Sequence, residues 1–170
     1  MIIVRAERPA DIEAIRTLNT AAFGQAQESR LVDALRENGG VLLSLVATQD
    51  EQMVGHILFS PASIATDVRV VTGAGLGPIA VRPAFQRQGI GSRLIDTGVR
   101  KLRTMHCPFV VVLGHPAYYP RFGFEPASRY AIRCEWDVPD DAFMILVMDP
   151  AAMQSVSGLV KYRHEFSTVE

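Results

Sequence analysis

Apolar and polar positions along the chain follow two periods, and the switches between them mark its elements. Ile2 to Arg5 predicts a first strand. Pro9-Ala10-Asp11 then opens a helix, because proline suits the first helical turn and Ile12, Ile15, Leu18 and Ala22 follow at three- to four-residue spacing. A second helix, over 27–38, carries Leu31 and Leu35 on one face and stops at Asn38-Gly39-Gly40. Segments 42–48 and 53–62 read as antiparallel strands joined by the polar turn Gln49-Asp50-Glu51-Gln52. Strand character returns at 68–72 and more strongly at 76–81, with Gly73, Gly75 and Gly77 read as a bulged or turning approach. Arg82-Pro83 ends that strand, since proline lacks a donor and restricts its predecessor. A long helix over 89–105 places Ile90, Leu94, Ile95, Val99, Leu102 and Met105 on its apolar face. The continuous run Phe109 to Leu113 suits a strand covered on both faces. A short helical turn over 117–122 ends at Gly123, and 130–134 and 143–148 supply the last strands.

This order predicts an α/β (α+β) fold and excludes both a TIM barrel and a regular doubly wound sheet. No internal repeat interrupts it, so one domain is expected over 1–150, followed by a tail over 151–170 that Tyr162 and Phe166 could dock. Composition agrees: 170 residues, 48% hydrophobic and 21% charged, suit one soluble domain. Seventeen basic against eighteen acidic residues leave a net charge of −1 with no block of one sign, so neither nucleic acid nor a membrane surface is an expected partner. The longest apolar run is too short to cross a bilayer, the N-terminus lacks a signal-peptide pattern, and the cytoplasm is the expected location. Cys107 and Cys134 have no Cys-x-x-Cys spacing and read as reduced core thiols. His56, His106, His115 and His164 lack metal-ligand spacing, so no metal is expected.

Chemistry concentrates where the strand over 76–81 runs through Gln86-Arg87-Gln88-Gly89-Ile90-Gly91-Ser92 into the long helix. The first turn of a helix leaves backbone N–H groups unpaired and partially positive, and glycines let a phosphate approach them. Arg87 and Arg93 could add charge at the rim. The absence of Gly-Lys-Ser/Thr excludes a Walker loop, and the glycines at 73, 75 and 77 precede a strand, which excludes a dinucleotide fingerprint.

Gln86-Arg87-Gln88-Gly89-Ile90-Gly91 resembles the Gln/Arg-x-x-Gly-x-Gly/Ala pyrophosphate loop of the GNAT N-acetyltransferase superfamily. A second match follows, His115-Pro116-Ala117-Tyr118-Tyr119-Pro120-Arg121-Phe122-Gly123-Phe124, similar to the superfamily's Tyr-x-x-x-Gly-Phe turn with Tyr119 at the Tyr position. The resemblance covers about residues 2–149. It implies a twisted, mostly antiparallel mixed sheet flanked by helices and splayed between strands 4 and 5, with acetyl-CoA in the wedge as cosubstrate. It also implies that Ile79, Ala80 and Val81 pair with the pantetheine arm; otherwise they form an ordinary, fully paired strand. By the same resemblance the amides of Arg87, Gln88, Gly89, Ile90, Gly91 and Ser92 cradle the pyrophosphate, and the Tyr119 phenol sits near the departing sulfur.

One departure stands out: many relatives carry Asn after the fifth strand, where this chain has Gly114-His115. His115 could bond the pantetheine, take a proton, or cap the short helix. The implied reaction is direct attack of an amine on the thioester. The residues leave the acceptor open among a small-molecule amine, a peptide N-terminus and a lysine side chain, and leave monomer and homodimer open as well. Glu28, His56 and His115 are candidate bases, and Glu28 could equally be a solvated charge at a helix start. Glu135, Asp137, Asp140 and Asp141 form an acidic cluster that could attract a cationic amine or simply be a solvated loop. A non-catalytic acyl-CoA sensor is the competing function.

Overall fold

The computed structural model describes residues 1–168, and all elements except two short strands and the last helix follow the predicted order. Strand β1 (Ile2–Ala6) leads through a 3-10 turn at Pro9–Asp11 into α1 (Ile12–Phe23) and α2 (Gln27–Glu37). Asp11 fixes this entry: it accepts from both terminal nitrogens of Arg5 (2.7 and 3.0 Å) and from the Arg8 amide (2.7 Å). On α2 it is Val32 and Leu35 that are fully buried, with the expected Leu31 only partly so.

Strands β2 (Leu43–Gln49), β3 (Gln52–Ala65) and β4 (Val70–Val81) form an antiparallel meander next to β1. Here one expectation changes: 70–81 is a single strand, and Gly73 and Gly75 lie inside it. They serve close approach instead of a break. A Cβ at Gly73 would stand 2.5 Å from the Phe109 carbonyl oxygen, and one at Gly75 would stand 2.6 Å from the Tyr162 ring. The break falls at Gly77-Pro78, where β4 carries one extra residue against β3: Phe59 pairs with Leu76, but Ile57 pairs with Ile79. Such a bulge bends its strand and strengthens the local twist.

Helix α3 (Ile90–Thr104) covers one face of the meander, with Leu94, Ile95 and Leu102 fully buried. Met105, expected on that face, lies beyond the helix end and is 47% exposed. Helices α1 and α2 cover the opposite face through Ile15, Leu18, Val32 and Leu35. Strand β5 (Phe109–Leu113) runs parallel to β4, and β6 (Glu125–Pro126), β7 (Ile132–Cys134) and β8 (Phe143–Val147) follow. The sheet order is β1-β2-β3-β4-β5-β8-β6.

The C-terminal residues 151–168 are woven into this sheet. Strand β9 (Gly158–Lys161) pairs with β7 and with Ser63 and Ile64 of β3, beyond the stretch that β2 covers. Met153, Val156 and Val160 are buried in a core with Phe109, Val111 and Ile145. Helix α4 (Glu165–Thr168) brings Phe166 against Tyr162 and Trp136, with ring centroids 5.1 and 6.4 Å apart. Arg163 ties the segment down by donating to the buried Glu165 carboxylate at 2.9 and 3.0 Å and to the Asn38 carbonyl at 3.0 Å. That guanidinium contact holds the Glu165 carboxyl down at a pKa of about 2. Cys107 and Cys134 are free and half-buried, and burial pushes both thiols up. Among the described residues no cluster of metal-ligating side chains occurs, and no helix is long and apolar enough to cross a membrane.

Candidate active site

The parallel pairing of β4 with β5 lasts only from Ala74 to Leu76, opposite Val110 to Val112. After the bulge the strands part, so β4 from Ile79 to Val81 has β3 on one edge and no strand on the other. Direction follows from strand alternation. The Arg82 amide donates to Val54 of β3 at 2.8 Å, so Ala80 also turns its backbone groups toward β3 while Ile79 and Val81 turn theirs into the cleft. Two of the three expected residues therefore offer backbone to a ligand. Ala80 is the exception, and its side chain is buried against α1. The Gln86 side chain reaches back across this edge and donates to the Val81 carbonyl at 3.1 Å.

At one end of the cleft lies a cavity of about 380 Å³, bounded by Val81, Phe85, Gln86, Arg87, Gly89, Ile90, Gly91, Ser92, Tyr118 and Arg121. Arg87 and Gly89 hold φ of 64° and 82°, which turns the chain sharply into α3 with Gly89 as N-cap. The first-turn amides of Ile90, Gly91 and Ser92 have no partner within the helix and carry its partial positive charge. Ile90 contributes backbone only, since its side chain is buried beneath the sheet. Gln88 is exposed and does not line this cavity, and Arg93 does not either. Tyr118 and Arg121 do, and the sequence reading passed over both. The Tyr118 hydroxyl lies 3.3 Å from Ser92 Oγ, and the Arg121 guanidinium sits 4.6 Å above the Tyr118 ring.

At the other end is a cavity of about 290 Å³ that contains Tyr119, Glu28, Gly77, Pro78 and Ile79, with a wall of Phe23, Trp136, Tyr162 and Phe166. The two neighbouring tyrosines thus face different ends of one cleft, their rings edge to face at 5.1 Å. Tyr119 is buried, and that burial together with the adjacent Tyr118 pushes its phenol up to a pKa of about 12. Gly114 makes room for it, because a Cβ there would collide with the Tyr119 ring. An Asn at this position is incompatible with the Tyr119 packing.

Glu28 is partly buried at the start of α2 and accepts from Gln25 at 2.7 and 3.1 Å. His115 lies outside both cavities, exposed, with Nδ1 accepting the Ala117 amide at 3.3 Å, the cap of the short turn. His56 is not at the site. It is fully buried between β2, β3 and α1, where Asn19 Nδ2 is 3.3 Å from Nδ1 and Ser44 Oγ is 2.9 Å from Nε2. Asn19 can only donate there, so Nε2 carries the proton and Ser44 passes its own to Glu7 at 3.0 Å. Burial lowers the His56 pKa to about 4, so the ring is neutral.

A free strand edge, an anion-binding helix start and a buried phenol in one cleft fit a long, bent cofactor with a phosphate end. The sequence comparisons agree. The model of the GNAT acetyltransferase domain matches residues 4–127. YhbS of Escherichia coli, described as an uncharacterized N-acetyltransferase, is 37% identical over 168 residues, 98% of this chain and 99% of that one. Its crystal structure with CoA superposes with a TM-score of 0.92 at 35% identity, over 99% of this chain and 93% of that one. A GNAT family acetyltransferase from Brucella melitensis in complex with acetyl-CoA gives 0.80 at 36% identity, over 98% of each chain. This chain belongs to the GNAT family of acetyltransferases.

Proposed function

We propose that the chain transfers an acetyl group from acetyl-CoA to a primary amine by direct attack in the cleft between β4 and β5. One observation carries this reading: the edge of β4 that has no strand partner runs from Ile79, which lines the Tyr119 chamber, to Val81, which lines the cavity at the α3 start. The CoA and acetyl-CoA complexes of the two relatives support it. The amides of Gly89 to Ser92 would hold the pyrophosphate, with Arg87 and Arg121 adding charge, while Ile79 and Val81 would pair with the pantetheine amides.

When bound, acetyl-CoA supplies the thioester carbonyl and a sulfur able to leave as thiolate. Tyr119 would donate a hydrogen bond to that sulfur. Proton transfer from a phenol near 12 to a thiol of ordinary pKa about 8.5 is uphill by roughly 5 kcal/mol, at 1.36 kcal/mol per unit. Tyr119 would therefore act by a hydrogen bond that strengthens as charge develops and would stay protonated throughout, the released thiolate equilibrating with solvent protons. The acceptor must lose a proton: a lysine-like amine of pKa about 10.4 is neutral in about one molecule in 2,500 at pH 7, a cost of about 4.6 kcal/mol. The apolar wall lessens that cost by disfavouring the ammonium form. Glu28, which opens onto the same chamber, would take the proton directly or through water.

The test is incubation with acetyl-CoA and a mixture of primary amines, read by thiol release and by mass spectrometry of the amines. Amine-dependent thiol release with one acetylated amine per thiol supports transfer. Binding of acetyl-CoA with no amine-dependent release contradicts it and leaves a sensor.

A further inference from the structure

The chamber around Tyr119 has an unusual wall for a site that handles a charged substrate. Of its described lining residues only Glu28 carries a formal charge. Trp136, Tyr162 and Phe166 form a contiguous ring cluster, with centroids 5.1 Å apart between Trp136 and Tyr162 and between Tyr162 and Phe166. Phe23, at the end of α1, forms the facing rim and is 40% exposed. The acidic residues Asp137 and Asp140 line an adjoining groove that shares Trp136 with the chamber, and none of Glu135, Asp137, Asp140 and Asp141 lines the chamber itself.

We propose that, given acetyl transfer in this cleft, the acceptor is a small apolar monoamine: one primary amine on an aliphatic or aromatic body, with no second charge. Size, charge and surface converge on it. A volume of about 290 Å³ corresponds to roughly ten waters of liquid, and with the acetyl thioester beside Tyr119 taking part of it the remainder admits only a small amine. One ammonium can be met by the Glu28 carboxylate, which then takes its proton. A second ammonium on a polyamine or amino sugar would enter an apolar wall with no counter-charge, and burying an unpaired charge is strongly unfavourable. The aromatic rings also bury the acceptor's hydrocarbon, which a hydrophilic amine cannot exploit. The C-terminal segment supplies two of the three rings, so its docking completes the acceptor site.

Trp136 is the only tryptophan, which gives a readout independent of turnover. The protein is saturated with CoA and titrated with n-hexylamine or spermidine at matched ionic strength while Trp136 emission is followed. Steady-state thiol release with acetyl-CoA is measured in parallel. The expected result is a saturable emission change with hexylamine alone, and kcat/KM at least about tenfold higher for hexylamine than for spermidine. Phe23→Ser, at the exposed rim, should raise KM for hexylamine by about tenfold with a smaller effect on spermidine.

Equal or better turnover of spermidine, or no emission change with hexylamine, overturns the proposal. A rate that instead rises from acetyl-CoA to hexanoyl-CoA, without an emission response to hexylamine, assigns the chamber to a longer acyl chain and also overturns it. If no amine drives thiol release, acetyl transfer fails as a reading. The emission titration then still decides whether the chamber takes an apolar amine.

Discussion

Two adjacent tyrosines divide the cleft, and their different surroundings give them different work. Tyr118 reaches Ser92 at the α3 end, while Tyr119 is buried at the Glu28 end with its pKa raised to about 12. Tyr119→Phe keeps the ring that packs against Gly114 and Phe124 and removes only the hydroxyl. It should retain the fold and nearly all acetyl-CoA affinity, yet lose about 10–1,000-fold in single-turnover rate, up to the cost of removing one transition-state hydrogen-bond donor. A change of less than about threefold would make Tyr119 a packing residue only. Its position was legible in the sequence because a glycine and a phenylalanine follow at fixed spacing. Tyr118 and Arg121 were not, since a 3-10 turn sends neighbouring side chains in different directions that no apolar period records. His115 illustrates the same limit: its cap to Ala117 depends on loop geometry.

Among the elements, β4 and α3 build the site between them. The helix, its apolar face and its glycine start were readable from periodicity and from the Gly-x-Gly pair. What hid β4 was its glycines, read as interruptions when they admit Phe109 and Tyr162 against the strand. The glycines up to Gly77 were readable as a bulge or a turn without its place, because a bulge is defined by the partner strand it slips against. At Gly91 a Cβ would stand 3.3 Å from the Tyr118 hydroxyl, inside the phosphate-end cavity. Gly91→Glu adds bulk and a negative charge where a pyrophosphate would sit. Calorimetry should show CoA affinity reduced by at least about tenfold in the folded variant, the effect of about 1.4 kcal/mol. Unchanged affinity would place the phosphates elsewhere.

At the scale of the whole molecule, the sequence showed where apolar faces lie but not which distant segments share them. The C-terminal strand β9 and the rings of Tyr162 and Phe166 had no local signal for closing the chamber, because that role depends on β7 and Trp136 a few dozen residues away. The Asn19–His56–Ser44–Glu7 chain likewise joins α1, β3, β2 and the segment after β1 across the buried interior. It has a consequence for acid stability. His56 is held neutral in the folded protein at a pKa of about 4, against 6.5 when unfolded. Above pH 6.5 neither state protonates it. As pH falls from 6.5 toward 4 only the unfolded state gains the proton, so stability drops by about 3 kcal/mol and then levels. Denaturant unfolding at intervals across this window should show that step in the wild type and lose it in His56→Gln. An unchanged step in the variant would assign the acid sensitivity to other groups.

The cleft itself is best tested by residue-resolved amide hydrogen exchange with and without acetyl-CoA. Ile79 and Val81 face the cleft while Ala80 faces β3, so the cofactor should slow exchange at Ile79 and Val81 and at Gly89 to Ser92, with little change at Ala80. Binding that leaves Ile79, Val81 and the start of α3 unprotected would contradict a cofactor lying along the free edge of β4.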